Sequence, residues 1–275
     1  MSRIGVGFVL AWGAVCALLV APRALGADAA ATEAAAASRG TVVIDPGHGG
    51  ADLGARSPSG LLEKELTLAV ARRLAKLLRA QGTEVVLTRT SDAFVALSER
   101  TEIANRSHAT LFVSIHANSA PEREIAGSET YFLSLEASDD EAMRVAMTEN
   151  DVFKQEGTAD ESADVVGAIL GDLIRTEHLR ESSALAARIQ RHLASLPGQS
   201  RGVKQAPFVV LTGVNMPAAL VEIGFITNPS EAARMGQRDR QDAIAKALAA
   251  AIREAMVQNS QARLATEPTP AQEKP

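Results

Sequence analysis

Two histidines in this chain stand where chemistry could be done. His48 lies in Asp45-Pro46-Gly47-His48-Gly49-Gly50, directly after a β-branched run, and His116 lies in Ser114-Ile115-His116-Ala117-Asn118. A pair of neutral imidazoles suits zinc, and a hydrolytic zinc site takes a third protein ligand and keeps one position open. Glu63, 15 residues after His48 at the start of a helical pattern, is a candidate third ligand, with Glu65 as its competitor. A glutamate in a helix's first turn is ordinarily there for the helix dipole, so spacing leaves the choice open. Glu222 interrupts the otherwise apolar run Ala218–Phe225. A carboxylate there is costly unless it is paired, hydrogen-bonded or near a cation. It reads either as half of a buried salt bridge, with Arg100 for example, or as a general base beside a metal. His108, His178 and His192 fall on predicted helices or loops without such convergence and read as ordinary residues.

The elements that must position these groups alternate. Thr41–Ile44 reads as a buried strand stopped by Pro46-Gly47. Leu66, Val70, Leu74, Leu77 and Leu78 recur at helical spacing, so residues 63–81 form a helix ended by Gly82. Glu84–Thr88 is a strand, Leu97–Arg106 a helix and Thr110–Ile115 a strand. Such alternation predicts an α/β fold, a single domain whose mixed, mostly parallel sheet is flanked by helices. Further strands are expected at Ser128–Leu133, Phe208–Leu211 and Ala218–Ile223, with a short helix capped by Asn228-Pro229 and a last helix over Asp239–Val257. In open α/β sheets, sites form beyond the carboxyl ends of parallel strands, which brings His48 and His116 to one edge. The Gly-rich turn after the first strand lacks both the P-loop and the dinucleotide spacing, so a nucleotide site is discounted.

The 74 residues between Leu133 and Phe208 are too many for an ordinary connection. Ser138 and Glu141 form a capping box that predicts a helix from Asp139 towards Phe153. Helices are also expected at Val165–Ile174 and Ser182–Leu196, the last as a normal sheet-covering helix. The excess is therefore a helical insertion at about residues 136–180, rich in acids such as Glu149.

Before the first strand, Ile4–Val20 is mostly apolar, with Arg3 ahead of it and Ala24-Leu25-Gly26 behind it. This is the pattern of a secretory signal cleaved before Ala27, just short of a bilayer-spanning length. The alternative is an uncleaved N-terminal anchor. Residues 27–40 read as an Ala-rich linker and 259–275, with three prolines, as a disordered tail. The chain carries a net charge of −5, which becomes −7 once residues 1–26 are removed. Such an acidic balance argues against a nucleic-acid partner. Cleavage also removes Cys16, the only cysteine, so the exported domain has no disulfide and rests on an aliphatic core. No other apolar run is long enough to span a membrane.

Three blocks in this order, VIDPGHGGADLGA with GLLEKE (43–55 and 60–65), SIHAN (114–118) and ALVEIGFITN (219–228), resemble the zinc-dependent N-acetylmuramoyl-L-alanine amidases of the amidase 3 type. The resemblance covers about residues 41–257 and implies a zinc amidase catalytic domain over 41–258. It implies that His48, Glu63 and His116 are the zinc ligands, which settles Glu63 over Glu65, and that Glu222 is the catalytic glutamate. Asn118 matches a position beside the third ligand that orients substrate. The implied reaction is hydrolysis of the amide between N-acetylmuramic acid and the L-alanine of the stem peptide in extracytoplasmic peptidoglycan, during wall remodelling and daughter-cell separation. The insertion resembles, in position, the segment of division-type amidases in which a helix covers the zinc until an activator protein displaces it. Glu149 is then a candidate blocking carboxylate, and a substrate-binding lid is the other reading. Two further functions stay open: a zinc peptidase acting within the stem peptide, and an inactive wall-binding regulator on the same fold.

Overall fold

The computed structural model describes residues 40–155 and 176–266. The signal segment, nearly all of the linker and the helix expected at 165–174 lie outside the described residues. In chain order the elements are β1 (Thr41–Pro46), α1 (Glu63–Ala80), β2 (Glu84–Leu87), α2 (Leu97–Arg106), β3 (Leu111–Asn118), β4 (Ser128–Leu133), α3 (Asp140–Gln155) and α4 (Thr176–Ala194). β5 (Ser200–Ala206), a 3₁₀ turn (Val209–Leu211), β6 (Ala218–Phe225), α5 (Pro229–Met235) and α6 (Arg238–Thr266) complete the set.

The strands form one mixed sheet in the order β2-β1-β3-β6-β4-β5. Every neighbouring pair is parallel except β4 with β6. The fold is therefore α/β with a mostly parallel sheet, as the alternation predicts. Residues alternate between two apolar layers. Val42, Ile44, Val113, Ile115, Val221 and Ile223 face α1, α4 and α6, while Val43, Phe112, Leu220 and Tyr131 face the opposite layer with Leu97 of α2 and Val145 of α3. On this second face the apolar residues give way, towards the carboxyl ends of β1, β3 and β6, to Asp45, Ser114, His116 and Glu222. All four are buried. A run of polar groups at one edge of an otherwise aliphatic sheet marks where the site lies.

Three expectations are corrected, and one strand is added. Residues 208–211 are a 3₁₀ turn and not a strand; Phe208 follows Pro207 and packs its ring against Tyr131, centroids 5.0 Å apart. The remaining strand is β5, whose sequence SRGVKQA carries no apolar alternation because it is an edge strand paired only with β4. The cap of α3 is Asp139, which accepts from the Ala142 amide (2.7 Å), whereas Ser138 Oγ accepts from the Gln205 amide and Glu141 faces β5. The tail is not disordered from 259: α6 continues to Thr266, since no Gly or Pro interrupts it before Pro268. The Asn228 cap forms as expected, accepting from the Glu231 amide. Among the described residues no helix is long and apolar enough to cross a membrane.

Candidate metal centre and active site

β1 ends in a turn that must approach β3 closely. A Cβ on Gly47 would lie 2.4 Å from the His116 ring, so only glycine lets the loop pass over that imidazole. His48 follows with φ at 61°, in the left-handed region. Arg100 of α2, itself buried, fixes this turn. It donates to Asp45 Oδ1 (2.7 Å), to the Pro46 carbonyl (2.8 Å) and to the His48 carbonyl (3.0 Å). Ser114 and Thr88 hydroxyls also donate to Asp45. Burial alone would raise the Asp45 pKa, but the Arg100 guanidinium and these donors outweigh it and hold the carboxyl below its ordinary value. Arg100 thus belongs to Asp45 and is not the partner of Glu222 that the sequence allowed.

His48 and His116 meet edge to face, ring centroids 4.9 Å apart. His48 Nδ1 donates to Asp52 Oδ2 at 2.8 Å, which leaves Nε2 as the free lone pair. Sequence reading gave Asp52 no role; its signal was an acid four residues after a candidate ligand. Glu63, at the start of α1, is held from both sides. Its Oε2 accepts from the Ala55 amide (2.8 Å) and its Oε1 from the Ala117 amide (2.9 Å). Oε1 lies 3.0 Å from His48 Nε2 and 3.2 Å from His116 Nδ1. Glu65 is exposed, whereas Glu63 is buried among these donors.

A fourth group arrives from the insertion. Glu149 of α3 places Oε2 at 3.3 Å from His48 Nε2 and 2.8 Å from His116 Nδ1. The donor atoms of His48, Glu63, His116 and Glu149 all lie within 4.8 Å of one another. His48 Nε2, His116 Nδ1 and Glu149 Oε2 are buried and, among the described residues, make no well-aligned hydrogen bond. The chemistry fits a metal: donors about 2.0–2.1 Å from a tetrahedral centre are about 3.3–3.4 Å apart, close to the N···O separations here. Without the ion, the cluster is a set of mutually polarised charges. Burial lowers the histidine pKa values, but Glu63 and Glu149 outweigh it, lifting His48 well above its ordinary value and His116 to about 10. Burial raises that of Glu63, but the two imidazoles drive it far down.

Glu222 lies beside this cluster. It pairs in register with His116 on one side and with Glu129 of β4 on the other. It is fully buried, and among the described residues neither carboxyl oxygen has a hydrogen-bond partner. Burial, then the nearby Glu149 carboxylate, pushes its pKa well up, with His116 acting in the opposite sense. Asn118 donates through Nδ2 to Glu129 Oε2 (3.1 Å). Glu129 also accepts from the Tyr131 hydroxyl and from Arg201 Nε at 2.6 Å. None of Glu129, Arg201 or Lys204 was singled out from the sequence, because their neighbourhood exists only across β4 and β5. His108, His178 and His192 lie away from the cluster, and His192 contacts Glu254 of α6.

Residues 42–254 match the family model for N-acetylmuramoyl-L-alanine amidase. Among curated proteins, the chain is 36% identical over 219 residues to N-acetylmuramoyl-L-alanine amidase AmiA of Salmonella typhimurium, covering 78% of this chain and 75% of that protein. It is 35% identical over 215 residues to AmiA of Escherichia coli, covering 77% and 74%. Among solved structures, N-acetylmuramoyl-L-alanine amidase AmiC2 of Nostoc punctiforme superposes with a TM-score of 0.60 at 33% identity, covering 78% of this chain and 95% of that one. With the family model spanning more than half of its length, the chain belongs to the N-acetylmuramoyl-L-alanine amidases, a family of hydrolases.

Proposed function

We propose that this chain is an exported, zinc-dependent peptidoglycan amidase held closed by its insertion helix. The observation that carries the reading is the buried cluster of His48, Glu63 and His116, in which His48 Nε2 and His116 Nδ1 have no hydrogen-bond partner among the described residues and lie beside the equally unpartnered carboxyl of Glu222. His48, Glu63 and His116 hold the zinc, and Asp52 keeps the His48 tautomer that frees Nε2. When bound, zinc supplies Lewis acidity towards the scissile carbonyl and towards water. Glu222 takes a proton from the attacking water as the new C–O bond forms. It returns that proton to the amide nitrogen as the C–N bond to the L-alanine of the stem peptide breaks. A general base works best with a pKa near the working pH, and burial moves Glu222 towards that range.

Glu149 stands where a substrate carbonyl or water has to enter, so α3 must leave before turnover. Such a device needs a bistable element biased by a partner, here an activator protein that binds the open state. The signal-like residues 1–26 support an extracytoplasmic location, where peptidoglycan is found, and a controlled amidase suits daughter-cell separation. The test is incubation of the zinc-loaded chain, with α3 loosened by Val145→Ala and Glu149→Ala, with purified peptidoglycan, followed by mass spectrometry. Free stem peptides beginning with L-alanine, together with peptide-free glycan, are expected. Cuts inside the peptide point to a peptidase, and intact glycopeptide to a binding protein.

A further inference from the structure

The face under α3 holds a second charged centre, away from the metal cluster. His116, Glu222 and Glu129 stand in one register row across β3, β6 and β4. β5 continues the row with two cations. Arg201 Nε lies 2.6 Å and Lys204 Nζ 3.1 Å from Glu129 Oε1. Both cations also bind Glu141 of α3, Arg201 at 2.5 Å and Lys204 at 3.1 Å, and Lys204 lies 3.4 Å from Asp139. Their side chains keep 21% and 11% exposure even with α3 docked.

The helix therefore sets two carboxylates on this face, Glu149 on the metal cluster and Glu141 on the cation pair. Eight residues of helix separate them by about 12 Å. The strands beneath, from β3 to β5, span three spacings or about 14 Å, so the helix runs across the row. When α3 leaves, Glu141 and Asp139 leave with it. Glu129 remains, but one carboxylate cannot neutralise two cations, and its Oε2 already accepts from Asn118 and Tyr131, which leaves Oε1 alone to face both. A partly buried cation without its counter-ion is costly, so the open state recruits an anion at Arg201 and Lys204.

We propose that Arg201 and Lys204 bind a carboxylate on the peptide portion of the substrate, and that Glu141 occupies this place while the helix is docked. An extended peptide covers about 3.3–3.6 Å per residue, so about 12–14 Å is three to four residues beyond the amide cut at the cluster, a distance that a side-chain carboxylate on the third residue reaches. The ligand class is an acidic peptide, read at a charge site remote from the reacting bond. This inference rests on the proposed amidase reading and on the departure of α3.

The test uses the full zinc-loaded chain with α3 loosened by Val145→Ala and Glu149→Ala. Two synthetic muramoyl tripeptides serve as probes, identical except that the third residue bears a side-chain carboxylate or the corresponding carboxamide. Binding is read by calorimetry in a Glu222→Gln version, and cleavage with Glu222 intact. The carboxylate peptide should bind at least about tenfold more tightly, as expected for a charge-assisted pair. Lys204→Gln, which leaves Arg201 on Glu129, should bring that ratio near one, and Lys204→Arg should restore it. A purely structural pair would move melting temperature without moving this ratio. Equal binding of the two probes, no binding of either, or a preference that survives Lys204→Gln overturns the proposal. Cleavage without preference leaves the amidase reading standing and removes this site. A Lys204-dependent preference without cleavage keeps the site and removes the amidase reading.

Discussion

Loosening α3 without touching the cluster tests the proposed role of the helix as a plug. Val145 is 2% exposed and packs in the layer that includes Tyr131, Phe208 and Leu220. Val145→Ala removes two methyl groups from that layer, worth about 0.8 kcal/mol each. The docked state then loses about 1.6 kcal/mol relative to the open one, in which the side chain meets water either way. Each 1.4 kcal/mol is a factor of ten, so the open fraction should rise about 10- to 20-fold while it remains small. Basal hydrolysis of purified peptidoglycan by the zinc-loaded protein should rise by the same factor. Met147, on the same helix but 56% exposed, is the control, and Met147→Ala should leave the rate within about twofold. Zinc content and the melting curve need to show a folded, loaded protein in each case. If Val145→Ala is folded and loaded yet hydrolyses no faster than the parent, the helix is not what limits turnover, and a substrate-binding lid becomes the better account.

Three other expectations bear on the site. Replacing His48 or His116 with alanine removes one of the three proposed protein ligands, so zinc should be lost on dialysis and activity with it; stoichiometric zinc in the double variant contradicts the assignment. Glu222→Gln keeps the shape but cannot take a proton. It should retain zinc while turnover falls about 10²-fold or more, and near-normal turnover makes Glu222 structural. Asp45→Asn leaves Arg100 buried beside a neutral amide and should cost about 3–5 kcal/mol, read as a fall in melting temperature. Because the folded Asp45 pKa is depressed, its contribution is fully present above the unfolded value near 3.8 and lost as pH falls through the folded one. The acid-induced fall in stability below about pH 4 should therefore be shallower in Asp45→Asn, and an unchanged acid limb contradicts this.

The sequence by itself determined most of the scaffold. Periodicity of two and of 3.6 is a local property, so β1, α1, β2, α2 and β4 could be read directly, and the Gly-rich turn after β1 announced the site edge. The two histidines and Glu222 were conspicuous for the same reason, as polar residues inside or beside apolar runs. What stayed illegible was set by neighbours distant in the chain. Glu63 and Glu65 are alike in spacing, and only the amides of Ala55 and Ala117 distinguish them. Arg100 had two conceivable partners, and the packing of α2 on β1 gave it Asp45. β5 lacked an apolar alternation because it is an edge strand whose cations serve Glu129 and Glu141 instead of a core. The acid-rich stretch of the insertion named Glu149 only as one candidate among several. Tertiary packing decided that this one reaches the cluster, because Ala142, Val145 and Ala146 bury one stripe of α3 on the sheet and thereby fix which acids point inward.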